Sequence, residues 1–137
     1  MAQRRITVFF YGLFMDEQLL RGKGVEPANV RQACVPGFAL RIGNRATLIT
    51  DPAASAYGIL MELSHQEIDQ LYSEASVRAY LPEAVLAQLA NGSFIPAMCF
   101  NLAVPPGPEE ANAEYATKLR DLAQRLKLPA EYVKNIR

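Results

Sequence analysis

The pattern of apolar and polar positions predicts that strands dominate the chain before its C-terminal third. Residues 5–11 are mostly β-branched or aromatic, which is typical of a buried strand. Further extended segments are predicted at 31–42, 46–49 and 56–62. Turns are expected at Pro36-Gly37 and at Asp51-Pro52, where glycine and proline interrupt the apolar runs.

A β-hairpin is predicted after these segments. Val85, Ala87 and Leu89 alternate with their neighbours as the residues of one strand face do. Asn91-Gly92 is a strong signal for a type I′ turn, because both residues tolerate a positive φ. Residues 93–102 are expected to return as the partner strand.

Helical signals lie between and after the strands. Asp16 can cap a short helix over Glu17–Arg21, and Ser64 with Glu67 fits a capping box that opens a helix at about residues 65–73. A stiff proline-rich segment at 104–108 precedes a last amphipathic helix. The apolar positions of that helix follow helical spacing: Tyr115, Leu119, Leu122 and Leu126. Residues 130–136 can add a final helical turn or two.

These elements predict one α+β domain, because 137 residues is the usual size of a single domain. We expect a small mixed, mostly antiparallel β-barrel or curled sheet with short helices and a C-terminal helix. Residues 1–104 are expected to form the core of the domain. Residues 105–137 are expected to be a proline-rich linker and a helix that packs on the same domain.

Composition narrows the class of partner. Charged residues make up 20% of the chain and sum to zero, which argues against a nucleic-acid partner and gives no reason to expect an anionic membrane surface. No stretch is apolar for long enough to span a bilayer, so a cytoplasmic protein is expected. Cys34 and Cys99 indicate core thiols, and a single histidine, His65, makes a zinc site unlikely to form.

The first candidate site is the end of the opening strand, where the chain reads Tyr11-Gly12-Leu13-Phe14-Met15. Gly12 lets the backbone turn sharply and approach a ligand closely. Free N–H groups at such a turn can hold a carboxylate. A plain strand-to-helix turn is the alternative interpretation.

The second candidate is Glu74, a carboxylate just past the end of a predicted helix, among mostly small or apolar neighbours. A carboxylate in such a place can act as a general acid or base. The alternative is an exposed loop glutamate that pairs with Arg78.

Together the two candidates resemble motifs of the γ-glutamylcyclotransferase superfamily, which includes γ-glutamylamine cyclotransferases and AIG2-like proteins. The loop at 11–15 is similar to the family's Tyr-Gly-Ser/Thr-x-Leu/Met loop, and Leu71-Tyr72-Ser73-Glu74-Ala75…Tyr80 is similar to its catalytic glutamate segment. Three further segments, in the same order as in the family, extend the resemblance over nearly the whole chain: Pro36-Gly37-Phe38, Tyr57-Gly58-Ile59-Leu60 and Tyr115…Leu128-Pro129-Ala130-Glu131-Tyr132.

The resemblance implies an enzyme that releases 5-oxoproline from a γ-glutamyl amine or peptide. Glu74 would serve as general base and then as general acid, and no metal or cofactor would be required. Substrate-binding roles are implied for Tyr11, Gly12, Leu13, Phe14, Met15, Tyr80 and Tyr115. Two residues depart from the family pattern: Leu13 replaces a small hydroxyl residue, and Ala75 replaces a glycine.

Two other functions are left open by the sequence. The same scaffold could be a non-catalytic module that binds a small carboxylate ligand, or a protein whose tail helix mainly serves assembly. Glu74 separates the first two functions, because catalysis needs its carboxylate whereas binding could survive its amide. The sequence also leaves a homodimer open.

Overall fold

The computed structural model describes residues 4–137, which form five strands, a one-turn 3₁₀ helix and four α-helices. The strands are β1 (Arg5–Phe10), β2 (Ala28–Ile42), β3 (Ala46–Ser64), β4 (Tyr80–Gln88) and β5 (Phe94–Leu102). The 3₁₀ helix spans Leu13–Met15, and the α-helices are α1 (Glu17–Gly22), α2 (His65–Tyr72), α3 (Ala113–Arg125) and α4 (Ala130–Lys134).

The five strands close into a barrel in the order β1-β3-β2-β4-β5. The neighbouring pairs β1–β3, β3–β2, β2–β4 and β4–β5 are antiparallel. A parallel pairing of β1 with β5, with Val8 opposite Met98, completes the ring. The predicted α+β class is therefore confirmed, and the sheet is the small mixed barrel rather than an open curled sheet.

The predicted turn at Asp51-Pro52 is wrong, because 46–49 and 56–62 belong to one continuous strand, β3. Pairing with β2 jumps at this point: Pro36 lies opposite Ser55, whereas Phe38 lies opposite Thr50. Residues 51–54 of β3 lie opposite the single residue Gly37 of β2 and form a bulge, in which the Asp51 carboxylate accepts a hydrogen bond of 3.0 Å from the Ala53 N–H. The turn-forming residues Asp51 and Pro52 are thus accommodated in a bulge, and the strand continues past them.

The hairpin between β4 and β5 is confirmed, but its predicted turn type is wrong. Gly92 has a φ of +88°, whereas Asn91 does not have the positive φ that a type I′ turn requires. The Gly92 N–H donates to the Leu89 carbonyl, and the Asn91 side chain accepts from the Ser93 N–H at 2.9 Å. This local bond stabilises Asn91 in an ordinary conformation and leaves the left-handed position to the glycine.

Both predicted helix caps are present. The Asp16 side chain accepts from the N–H groups of Gln18 and Leu19 at the start of α1. At the start of α2, the Ser64 hydroxyl accepts from the Glu67 N–H, and the Glu67 carboxylate accepts from the Ser64 N–H. Reciprocal bonds of this kind hold the end of β3 against the first turn of α2.

The barrel interior and the C-terminal helix share one hydrophobic cluster. Leu119 is completely buried and Leu122 is 3% exposed, so the apolar face of α3 lies on the body of the protein. The 3₁₀ helix is among the elements that α3 contacts. Within residues 4–137, no helix combines the length and the apolar character needed to cross a membrane.

We expect Leu119→Ala to lower the free energy of unfolding by about 2–5 kcal/mol, because it leaves a cavity beneath α3. Urea denaturation measured by circular dichroism tests this. Lys118→Ala is the control, because Lys118 precedes Leu119 in the chain but its side chain lies on the exposed face of α3. Equal stability of the two variants would contradict the packing of α3 on the barrel.

Candidate functional site

A cavity of about 530 Å³ lies where β1 leaves the barrel. Its walls come from the loop after β1, the segment after α2, the tip of the β2–β3 hairpin, and α3. Nine lining residues matter for the argument: Tyr11, Gly12, Leu13, Phe14, Lys23, Arg45, Glu74, Tyr80 and Tyr115. The volume falls in the range of roughly 300–1,000 Å³ that is usual for small-molecule sites.

The loop after β1 brings backbone N–H groups to this cavity. Within the described residues 4–137, the N–H groups of Gly12 and Phe14 donate to no other group. The Met15 N–H is used, because it donates to the Gly12 carbonyl at 3.0 Å. Two free donors separated by one residue at a tight turn can hold an anion such as a carboxylate.

Gly12 is needed for close approach rather than for an unusual backbone angle, since its φ is −111°. A Cβ at this position would lie 2.6 Å from the Tyr115 hydroxyl oxygen. Any larger residue would therefore displace Tyr115 and fill the cavity beside the free N–H groups.

Of the predicted substrate-binding loop residues, Met15 does not line the cavity. It is only 2% exposed and belongs to the hydrophobic core. In a 3₁₀ helix, three residues complete a turn, so successive side chains point in different directions. Leu13 and Phe14 thus line the cavity, while Met15 anchors the loop to the core.

Glu74 lines the same cavity as Gly12. It follows the end of α2, and its carbonyl accepts the N–H groups of Val77 and Arg78 in a tight turn. Its carboxylate forms an ion pair of 2.7 Å with the Lys23 ammonium group, not with Arg78. The Glu74 side chain is 41% exposed, so a small molecule in the cavity can reach it.

Lys23 is a member of the site that the sequence did not indicate. The Lys23 carbonyl accepts a hydrogen bond of 2.6 Å from the Gln70 side chain of α2. This bond ties α1 to α2 and brings Lys23 to Glu74. The two residues are 51 positions apart, so no local pattern could have revealed the pair.

Four tyrosines line the cavity, and three of them differ in how their hydroxyl groups are engaged: Tyr11, Tyr80 and Tyr115. The Tyr11 hydroxyl donates to the Phe100 carbonyl at 2.7 Å, so it is engaged within the barrel. Burial raises the pKa of Tyr80 to about 12, with Tyr115 adding to the rise and Arg45 opposing it. Burial also raises the pKa of Tyr115, which a backbone hydrogen bond from Leu13 partly offsets. Both phenols are therefore protonated near neutral pH. The Tyr80 hydroxyl donates to the Ala46 carbonyl, whereas the Tyr115 hydroxyl can donate to a ligand.

Comparison by sequence finds no match, since neither a protein-family model nor a curated protein sequence matches the chain. Comparison by structure does. A γ-glutamyl cyclotransferase has a TM-score of 0.76 at 18% identity, covering 98% of this chain and 89% of that protein. YkqA from Bacillus subtilis has a TM-score of 0.77 at 20% identity, covering 96% of this chain and 52% of YkqA. An AIG2-like protein from Mus musculus has a TM-score of 0.58 at 16% identity, with 82% and 91% covered.

The chain has the γ-glutamylcyclotransferase fold. The resemblance indicated by the sequence motifs is thereby confirmed at the level of the fold. The fold also brings the motifs together on one cavity. Its lining includes residues from three of the motif segments: Tyr11-Gly12-Leu13-Phe14, Glu74 with Tyr80, and Tyr115.

This γ-glutamylcyclotransferase fold also brings to the cavity residues for which the sequence predicted no role in binding. Asn44 and Arg45 reach it from the tip of the β2–β3 hairpin, and Tyr72 reaches it from the last turn of α2. The Tyr72 ring stacks on Phe100 with 4.0 Å between centroids, forming an apolar wall.

Proposed function

We propose that this protein cyclises a γ-glutamyl amine or peptide, releasing 5-oxoproline and a free amine or amino acid. One observation carries the proposal: Glu74 lines the same cavity as Gly12 and Phe14, whose N–H groups donate to no other group within residues 4–137. The likeness of the fold to a γ-glutamyl cyclotransferase supports an enzyme over a non-catalytic binding module.

In the proposed complex, the α-carboxylate of the glutamyl group accepts hydrogen bonds from Gly12 and Phe14. The apolar wall formed by Tyr72 and Phe100 contacts the methylene groups of the substrate. Tyr115, whose hydroxyl lies beside Gly12, donates a further hydrogen bond at the glutamyl end. These contacts would hold the substrate folded, with its amine near its own γ-carbonyl carbon, so little orientational entropy is left to lose.

The chemistry then needs one proton carrier. Glu74 accepts a proton from the α-amine as the nitrogen attacks the γ-carbonyl carbon, and the new C–N bond closes a five-membered ring. The tetrahedral carbon collapses, the original amide C–N bond breaks, and Glu74 returns the proton to the departing nitrogen. The same carboxylate thus acts as base and then as acid, and Glu74 ends in the form in which it began.

The direct test is to incubate the purified protein with a panel of γ-glutamyl amino acids, peptides and amines. Release of 5-oxoproline, measured by chromatography, is expected for at least one of them. Binding of these compounds in calorimetry without any release would favour the binding module instead. The cytoplasmic location stays a sequence-based prediction.

Lys23 is a positioning residue in this proposal, because it contacts Glu74 and holds the carboxylate in place. Lys23→Gln is expected to lower kcat about tenfold through misplacement of Glu74, with a smaller change in KM. Stability should fall by no more than about 1 kcal/mol, since the pair is partly exposed. Lys23→Arg should restore most of kcat, and a loss confined to KM would contradict the positioning role.

A further inference from the structure

The charges around the cavity do not balance. Its charged lining residues are Lys23, Glu74 and Arg45. Lys23 and Glu74 neutralise each other across 2.7 Å. Within residues 4–137, the Arg45 guanidinium group forms no ion pair and no hydrogen bond. One positive charge, exposed to solvent, is therefore left without a protein partner at the rim of a largely apolar cavity.

Hydrogen bonds hold the backbone around Arg45 in place. The Gly43 N–H donates to the Arg45 carbonyl at 3.0 Å, which closes the tip of the β2–β3 hairpin. The Glu110 carboxylate then bridges two segments, accepting from the Asn44 N–H at 3.0 Å and from the Gly107 N–H at 2.9 Å. The tip is thus fastened to the segment before α3.

Close packing adds to this brace. A Cβ on Gly43 would lie 2.3 Å from the Cβ of Pro106, so the hairpin tip and the proline-rich segment are in direct contact. The Asn112 side chain also donates to the Asn44 carbonyl at 3.3 Å. The proline-rich segment therefore holds the residue that carries the unpaired charge.

The Arg45 side chain itself suits an anion rather than a neutral group. The Tyr80 hydroxyl donates to the carbonyl of Ala46, the residue after Arg45, which places the phenol close to the hairpin tip. Burial raises the pKa of Tyr80, and the positive charge of Arg45 opposes that rise. A guanidinium group presents a planar set of donors that matches the two oxygens of a carboxylate.

We propose that Arg45 binds a carboxylate on the departing half of the substrate. This inference rests on the proposed function, in which the free N–H groups of Gly12 and Phe14 take the glutamyl α-carboxylate and Glu74 takes its amine. Arg45 lies on a different element and forms no ion pair with Glu74. Arg45 is thus available to bind the part of the substrate beyond the γ-amide. The preferred substrates are therefore γ-glutamyl amino acids or peptides.

A pair of substrates that differ by one carboxylate tests this: γ-glutamyl-alanine and γ-glutamyl-ethylamine. The wild-type protein is expected to prefer γ-glutamyl-alanine by about tenfold or more in kcat/KM, the usual size of a charge-assisted hydrogen bond. Arg45→Gln should bring that ratio close to one. Arg45→Lys should retain part of the preference, because it keeps the charge without the planar donors.

Arg78→Gln is the matched control. It removes the same charge from the segment after α2, but Arg78 does not line the cavity. The ratio should stay at the wild-type value in this variant. Equal losses for both substrates in Arg45→Gln would assign Arg45 to the glutamyl α-carboxylate and overturn the proposal, as would an unchanged ratio.

Binding measured without turnover separates this inference from the proposed function. Titration of both compounds into Glu74→Gln by calorimetry should show tighter binding of γ-glutamyl-alanine, and Arg45→Gln in that background should abolish the difference. This result would support the carboxylate subsite even if the wild-type protein released no 5-oxoproline. Equal affinities for both compounds in the Glu74→Gln protein would overturn it.

Discussion

Glu74→Gln is expected to abolish the release of 5-oxoproline while the fold stays intact. The amide keeps the size of the side chain and its ability to contact Lys23, but it cannot accept a proton from the substrate amine. General acid–base catalysis contributes about 10²–10⁴-fold, so we expect kcat to fall by at least that order. The loss could be larger, because one residue serves both proton transfers. Much of the substrate affinity should survive, since the donors of Gly12 and Phe14 are unchanged.

Glu83→Gln is the matched control for this prediction. Glu83 lies on β4 and accepts a hydrogen bond of 2.7 Å from the Asn101 side chain, which a glutamine oxygen can also accept. It does not line the cavity, so 5-oxoproline release should stay near the wild-type rate. Thermal melts of both variants check folding. Turnover by Glu74→Gln at the wild-type rate would show that the catalytic assignment is wrong.

Gly58→Ala is expected to destabilise the protein by about 3 kcal/mol or more. A Cβ at Gly58 would lie 2.2 Å from the Phe10 carbonyl oxygen and 2.9 Å from the Phe9 ring. A backbone oxygen cannot move aside without shifting its strand, so β1 would have to separate locally from β3. Phe10 directly precedes the loop of Tyr11 to Phe14, and the free N–H groups of that loop should be displaced as well. Urea denaturation measures the loss of stability.

Gly22→Ala separates this steric effect from the general effect of replacing a glycine. Gly22 ends α1, and nothing lies within 4 Å of a Cβ placed there. We expect Gly22→Ala to be neutral or to stabilise the protein by less than about 1 kcal/mol, since alanine restricts the unfolded chain. Equal destabilisation of the two variants would contradict the close contact between Gly58 and β1.

Local chemistry in the sequence was sufficient for the caps and for most of the elements. The Ser64–Glu67 capping box formed because both bonds join residues three positions apart, which the chain satisfies as soon as α2 begins. The hairpin at Asn91-Gly92 formed for a similar reason. Its turn type was wrong because the Asn91 side chain bonded to Ser93, a choice between two local conformations of similar energy.

The motifs also predicted the fold, because they occur in the family's order along nearly the whole chain. Their shared position on one cavity depended on the barrel, which brings the end of β1, the segment after α2 and the start of α3 together. The continuous strand β3 shows where prediction from neighbouring residues alone fails. Asp51-Pro52 has the chemistry of a turn, yet pairing with β2 on both sides of the bulge keeps the strand intact.

The sequence by itself determined the caps, most strand positions and the candidate residues Gly12 and Glu74, because those signals lie within a few neighbouring residues. The tertiary structure alone decided that Lys23 is the partner of Glu74 and that Arg45 reaches the cavity without a partner. It also decided that the Met15 side chain lies in the hydrophobic core and does not line the cavity. Charge pairing and burial depend on which elements pack together, and contacts between residues far apart in the chain leave no periodic pattern in a single sequence.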